Sequence, residues 1–188
     1  MLNYYKFIEI LISLQTIIFS TMIPVLITLP TTKQVLQTVE IPITWQIPSV
    51  IVITLFFKGE VVLKAFTIYL FLGLLILPVF HQGGSLGYLL TPNFGYLLGI
   101  YPLIKIIDKW NNEYNNIKIL NFIKSGILAI TIMHIFGITY TFIQMLFTHQ
   151  KDMFLYNISY YSLGKYGYHL LMLTPITLLI KPINNRRN

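Results

Sequence analysis

The chain contains no cysteine, so disulfides, thiolate nucleophiles and Cys-ligated metals are excluded together. Charge is also scarce: 10% of the 188 residues are Asp, Glu, Lys or Arg, where ordinary soluble domains carry about 25%. Six residues are acidic, and none sits well inside an apolar stretch. Glu9 and Asp108 lie near segment ends, Glu60 lies in a turn, and Glu40, Glu113 and Asp152 lie in loops. That distribution argues against a two-carboxylate enzyme and against a proton-driven carrier, which needs a titratable carboxylate in its path. His-Glu-x-x-His, Gly-x-Ser-x-Gly and phosphate-cradling Gly-x-x-x-x-Gly-Lys-Ser/Thr are all missing. No catalytic residue, metal ligand or cofactor is therefore assigned, and any energy source must lie outside the chain. Alanine is confined to Ala65 and Ala129 while Ile, Asn, Lys and Tyr abound, a bias expected of an AT-rich genome.

Hydrophobicity is what the chain has. With 55% apolar residues and a mean hydropathy of +0.70, it reads as an all-α integral membrane protein. Six apolar segments are expected, at about 7–29, 43–57, 61–80, 86–107, 119–147 and 166–183, each measured against the ~20 residues that cross a ~30 Å hydrocarbon core. The first is long enough to span and lacks a small-residue cleavage site, so it reads as a retained helix and not a signal peptide. Lys58-Gly59-Glu60 marks a tight turn between the second and third segments, and Pro30 and Pro42 bracket a connection that reads as extended or a small ribbon. Nothing repeats and no linker divides the chain, so residues 1–188 read as one domain.

The formal charge of +7 is explained by basic residues at membrane borders and not by nucleic acid. With a cytoplasmic N-terminus and C-terminus, ten of the 13 Lys and Arg residues fall on the inner side, leaving Lys33, Lys151 and Lys165 outside. The 105–124 connection is then the main cytoplasmic loop, and the Gly83-Gly84 turn faces outward.

Candidate site residues follow from this placement. Gly83-Gly84 and the Thr91-Pro92-Asn93-Phe94-Gly95-Tyr96 break interrupt apolar sequence. Irregular backbone at membrane depth is tolerated only where protein or a polar cavity satisfies it. Pro92 is expected to free a carbonyl near residue 88 for a ligand, with Asn93 supplying an acceptor and two donors. The equal alternative is a proline kink with Gly95-x-x-x-Gly99 helix packing. Trp45 and Gln46 end the extended Ile41-Pro42-Ile43-Thr44 run, where Trp is also an ordinary interface anchor. His134, Gly137, Thr141, Gln144 and Thr148 share one helix face; Tyr140, Thr141 and Gln144 approach the outer layer, whereas His134 reads as a histidine satisfied by a neighbouring helix. Lys165 opens the last segment within Lys165-Tyr166-Gly167-Tyr168-His169, either receiving an anion or snorkelling.

In order and spacing, Ile41-Pro42-Ile43-Thr44-Trp45-Gln46, Leu77-Pro78-Val79-Phe80, Gly83-Gly84 and Thr91-Pro92-Asn93-Phe94-Gly95-Tyr96-Leu97-Leu98-Gly99-Ile100 resemble successive signatures of the BioY family, over about residues 41–107. The family pattern Gly-Pro-Thr-Gly-Gly is Thr91-Pro92-Asn93-Phe94-Gly95 here, and the acidic and basic pair common near the start of the last helix is reduced to Lys165. The resemblance implies an S component of an energy-coupling factor (ECF) transporter. It would be a multi-pass protein of a prokaryotic plasma membrane, or of an organelle membrane of prokaryotic descent, taking up the vitamin biotin from the outer side. Implied partners are a transmembrane coupling protein and cytoplasmic ATPases. The implied ligand set comprises Gly83, Gly84, Asn93, Gly95 and Tyr96, with the first loop as part of a lid. Trp45, Gln46, Tyr140, Gln144 and Lys165 complete the expected site. Two other readings stay open: the same fold tuned to another small molecule, and a non-transporting membrane subunit or assembly factor.

Overall fold

The computed structural model describes residues 2–29, 37–81, 83–113, 118–149 and 151–180. It is predominantly helical. Helix α1 (Leu2–Met22) leads into an antiparallel ribbon of β1 (Pro24–Leu29) and β2 (Gln37–Thr44), followed by α2 (Gln46–Phe56) and α3 (Gly59–Leu75). A 3-10 turn (Leu86–Leu90) precedes α4 (Pro92–Leu98) and α5 (Ile100–Glu113). The long α6 (Ile119–Thr148) comes next, then α7 (Lys151–Asn157), a π-helical turn (Ile158–Leu163), α8 (Gly164–Leu171) and α9 (Leu173–Thr177). Among the described residues two helices are long and apolar enough to cross a bilayer, over Tyr4–Met22 and Ile119–Thr148. Both carry large exposed side chains, among them Phe7 and Phe19 on α1 and Phe136 and Phe147 on α6, the outward surface that a lipid-facing helix presents.

Several boundaries differ from those expected. The first apolar segment is helical only to Met22; Pro24–Leu29 is strand, paired from Leu26↔Glu40 to Leu29↔Gln37 with an irregularity between Pro24 and Val25. β-branched Val25, Ile27 and Thr28 suit a ribbon, and Pro24 sits at its first residue, where no ladder N–H is lost. The expected small ribbon is thus present but starts earlier, taking its first strand from the end of the first apolar segment, while residues 30–36 lie outside the described ones. The fourth segment is not one helix from residue 86. Thr91 is extended (φ −92°, ψ 147°) and Pro92 occupies the first helical position, where its missing N–H costs nothing. Proline here starts a helix and does not kink one. Beyond it, Gly99 and Leu103 continue the ladder to Gly95 and Gly99 carbonyls, so α4 and α5 form a nearly continuous rod to Glu113. Most of the expected 105–124 loop is accordingly helix. The last expected segment, 166–183, is preceded by unexpected helix from Lys151 onward.

The core lies where α2, α3, α5 and α6 meet. Tyr69, Phe66, Phe80, Ile51, Leu103, Ile104, Ile130 and Met133 are fully buried or nearly so. Close helix approach depends on glycine. A Cβ on Gly99 would lie 2.6 Å from the Met133 carbonyl oxygen, and one on Gly95 2.3 Å from Tyr140 Cβ. At the end of the molecule where α2 gives way to α3, Asp108 accepts from the Gly59 amide at 2.7 Å, and the Asn111 amide reaches the Thr54 and Leu55 carbonyls at 3.4 Å. These bonds close the C-terminal end of α2 and the N-terminal end of α3.

Candidate functional site

At the opposite end the ribbon, the 76–85 loop and the starts of α2, α4 and α8 surround a cavity of about 330 Å³, within the range of small-molecule sites of roughly 300–1,000 Å³. Four stretches of chain build most of its wall, with Pro24 and Met133 completing it.

β2 contributes Glu40 through Thr44, and α2 follows with Gln46. Ile41 and Ile43 anchor the ribbon by packing with Val25 and Met172, while the Trp45 amide donates to the Ile23 carbonyl at 3.1 Å. Gln46 is buried, and its Nε2 donates to the Tyr69 hydroxyl at 3.1 Å. The orientation is dictated by proton supply. Thr21 spends its hydroxyl proton on the Ile17 carbonyl, so the single Tyr69 proton goes to Thr21 Oγ1 or to the Val79 carbonyl. Tyr69 then accepts from Gln46 in either case, and the Gln46 carbonyl oxygen is left as an acceptor.

The 76–85 loop brings in His81. Phe80 and Gly83 exchange two backbone hydrogen bonds at 2.9 and 3.1 Å, a tight turn that Gly83 closes at φ +137°, a value side chains rarely adopt. Gly84 passes so near the chain that a Cβ would lie 2.6 Å from Pro78 Cα. Phe80 seals the loop against Gly73 and between the Tyr69 and Tyr88 rings, 5.2 and 4.6 Å away. Partial burial lowers the His81 pKa below the usual imidazole range and the Lys165 cation adds to this, against smaller opposing effects of Thr21 and Glu40.

The third stretch runs through Tyr88, Asn93, Tyr96, Leu97 and Ile100, with Met133 of α6 behind them. Tyr88 donates to the His81 carbonyl at 3.3 Å. The carbonyl of Tyr88, which Pro92 was expected to free for a ligand, instead accepts from the Thr91 amide at 3.0 Å and the Thr91 hydroxyl at 2.8 Å. Asn93 lies in the first turn of α4 and faces the cavity. Phe94, the other departure from the family pattern, turns away into the core, its ring 5.7 Å from Tyr140.

The fourth stretch supplies Tyr160, Tyr161, Lys165 and His169. A π-helical turn adds a residue to the helical repeat and re-aims the side chains that follow, here presenting neighbouring tyrosines to one space. Lys165 Nζ sits 5.1 Å from the Tyr160 ring centre and 4.9 Å from that of Tyr161, within cation–π range. Among the described residues no carboxylate pairs with it; the Lys64–Glu60 ion pair, at 2.7 Å, lies elsewhere on exposed side chains.

Of the residues expected at the site, Gln46, Asn93, Tyr96 and Lys165 come together on this wall. The others are placed elsewhere. Gly83 and Gly84 shape the loop behind His81; Gly95 packs on Tyr140, whose hydroxyl donates to the Leu89 carbonyl. Gln144 lies farther along α6, outside the cavity lining, and Trp45 faces a shallow groove beside α1 with Ile12, Thr16 and Phe19. His81, Tyr88, Tyr160 and Tyr161 were not anticipated. Tyr160 and Tyr161 could have been found from the density of tyrosines after residue 155, but the π turn that aims them has no sequence signature. His134 is buried against a neighbouring helix, as expected, and bonds Ser162 and His169. No cluster of metal-ligating side chains occurs among the described residues.

A helical membrane protein with a tyrosine-walled, cation-bearing cavity at one end is the class that this architecture defines. Residues 6–168 match the model of the BioY family, and the chain belongs to that family. Over 105 residues it is 29% identical to a protein of Lysinibacillus sphaericus named "Probable biotin transporter BioY", an alignment covering 56% of this chain and 54% of that protein. The match thus spans about half the length of that curated relative. No solved structure matches the chain.

Proposed function

We propose that this chain is the membrane subunit that binds biotin for uptake, working as the S component of an ECF-type transporter. Lys165 carries the reading: a largely enclosed cation over two tyrosine rings, without a carboxylate partner among the described residues, suits a small anion with an apolar body. Biotin offers a carboxylate for Lys165, a ureido head for Asn93 and the Gln46 carbonyl, and a ring system for Tyr88, Tyr96, Tyr160 and Tyr161. Family membership and the biotin-transporter relative support that ligand. In this reading the chain crosses the membrane six times with both termini cytoplasmic. The ribbon covers a pocket open to the outer side, and a coupling protein with two ATPases supplies the energy. Binding and reorientation, not catalysis, are its work.

Uptake tests this directly. Biotin-auxotrophic cells expressing the chain with a coupling protein and ATPase pair should accumulate labelled biotin, and unlabelled biotin should compete while other vitamins do not. Accumulation no greater than in cells lacking the chain contradicts the proposal. Competition by a different vitamin would instead favour the same fold tuned to another small molecule, a reading encouraged by Asn93 on the wall where the family has a small hydroxyl.

A further inference from the structure

Two residues that line the cavity, Tyr96 and His169, are joined by an unbroken hydrogen-bonded chain. Tyr96 Oη lies 2.6 Å from Ser162 Oγ, Ser162 Oγ 3.3 Å from His134 Nδ1, and His134 Nε2 3.1 Å from His169 Nδ1. Ser162, His134 and His169 are all buried, and a Cβ on Gly137 would lie 2.3 Å from the Tyr96 ring, so the chain is packed in place. His169 Nε2 is left without a partner among the described residues.

We infer that these four residues form a relay that fixes the polarity of the cavity at two points at once and selects a ligand head carrying both an N–H donor and a C=O acceptor. The inference rests on the binding reading above, and the logic is proton counting. Each link holds one proton, and each neutral imidazole has one donor and one acceptor nitrogen. If Tyr96 donates into the cavity, it accepts from Ser162, which accepts from His134 Nδ1. His134 Nε2 then accepts from His169 Nδ1, and His169 Nε2 faces the cavity as an acceptor. If every link reverses, Tyr96 becomes the acceptor and His169 the donor. The two ends are always opposite. A cyclic urea carries two N–H donors and a carbonyl with two lone pairs, so it satisfies both ends and keeps one N–H for the Gln46 side-chain carbonyl and one lone pair for Asn93; a cationic guanidine, donor all round, meets a donor at one of them.

The test compares biotin with 2-iminobiotin, whose head is a guanidinium at neutral pH, on purified full-length protein. Wild type should prefer biotin. Ser162→Ala should narrow that preference by about tenfold, the scale of one hydrogen bond, because the two halves then orient independently, and Ser162→Thr should restore it. A preference unchanged within twofold in Ser162→Ala overturns the relay. Nitrogen NMR of the histidine-labelled, ligand-free chain reads the relay without biotin: cutting at Ser162 should shift the His169 ring nitrogens, although Ser162 is not bonded to that ring. Unchanged His169 shifts overturn the relay even if biotin binding fails, whereas shifted signals without biotin binding place the fault in the ligand assignment alone. Should Ser162→Ala not fold, Tyr96→Phe severs the same chain from its other end.

Discussion

The two ends of the bundle use polar residues in opposite ways. At the end holding Lys58, Glu60 and Asp108, polar side chains close helix termini and pair with each other: Asp108 on the Gly59 amide, Asn111 on the Thr54 and Leu55 carbonyls, Lys64 on Glu60. At the cavity end, Gln46, Lys165 and His169 are fixed from behind by Tyr69, two tyrosine rings and His134. Their remaining valence is directed toward the cavity. One end satisfies itself, and the other is prepared for something else. Preorganisation of this kind reduces the ordering that binding would otherwise cost.

That contrast can be broken by substitution. Lys165→Ala should produce the largest loss, weakening biotin binding by a hundredfold or more, since removing one partner of an enclosed charge pair costs about 2–5 kcal/mol; equilibrium titration checks it, and a change below fivefold would remove the cation from the site. Asn93→Ala should weaken affinity by about tenfold, the scale of one or two hydrogen bonds to a polar head. Tyr69→Phe touches no ligand but removes the acceptor that orients Gln46, so affinity should fall severalfold and thermal stability by about 1–2 kcal/mol. Asp108→Ala should leave affinity unchanged. It should lower stability by about 1–2 kcal/mol, because the Gly59 amide loses a charged acceptor, and melting in detergent with and without biotin separates the two effects. An Asp108→Ala variant that binds poorly would show that the ends are not independent.

How far the sequence foretold this depends on what each feature rests on. Apolar length located the long helices α1 and α6, and the Lys58-Gly59-Glu60 turn located the hairpin of α2 and α3, because both are local. Both readings of Pro92, a freed carbonyl for a ligand and a kink, place it inside a helix; its actual role depends on Thr91 being extended, which hydropathy does not report. The ribbon's first strand hid at the end of the first apolar run, where Val25 to Leu29 suits strand and membrane helix equally well. Within the site, Lys165, Asn93, Gln46 and Tyr96 stood out as polar or aromatic residues in apolar surroundings. Gly95 and Tyr140 carried the same signal but are used against each other in packing. Tyr160, Tyr161 and the link from Ser162 to His134 depend on a π turn and on two distant segments meeting, which no spacing rule conveys.

Calorimetric titration of biotin into the purified chain in detergent tests the central claim most directly. The account predicts one saturable site per chain with micromolar or tighter affinity, lost or greatly weakened in Lys165→Ala and retained in Asp108→Ala. No saturable heat at micromolar biotin, or equal binding by Lys165→Ala and wild type, would contradict it.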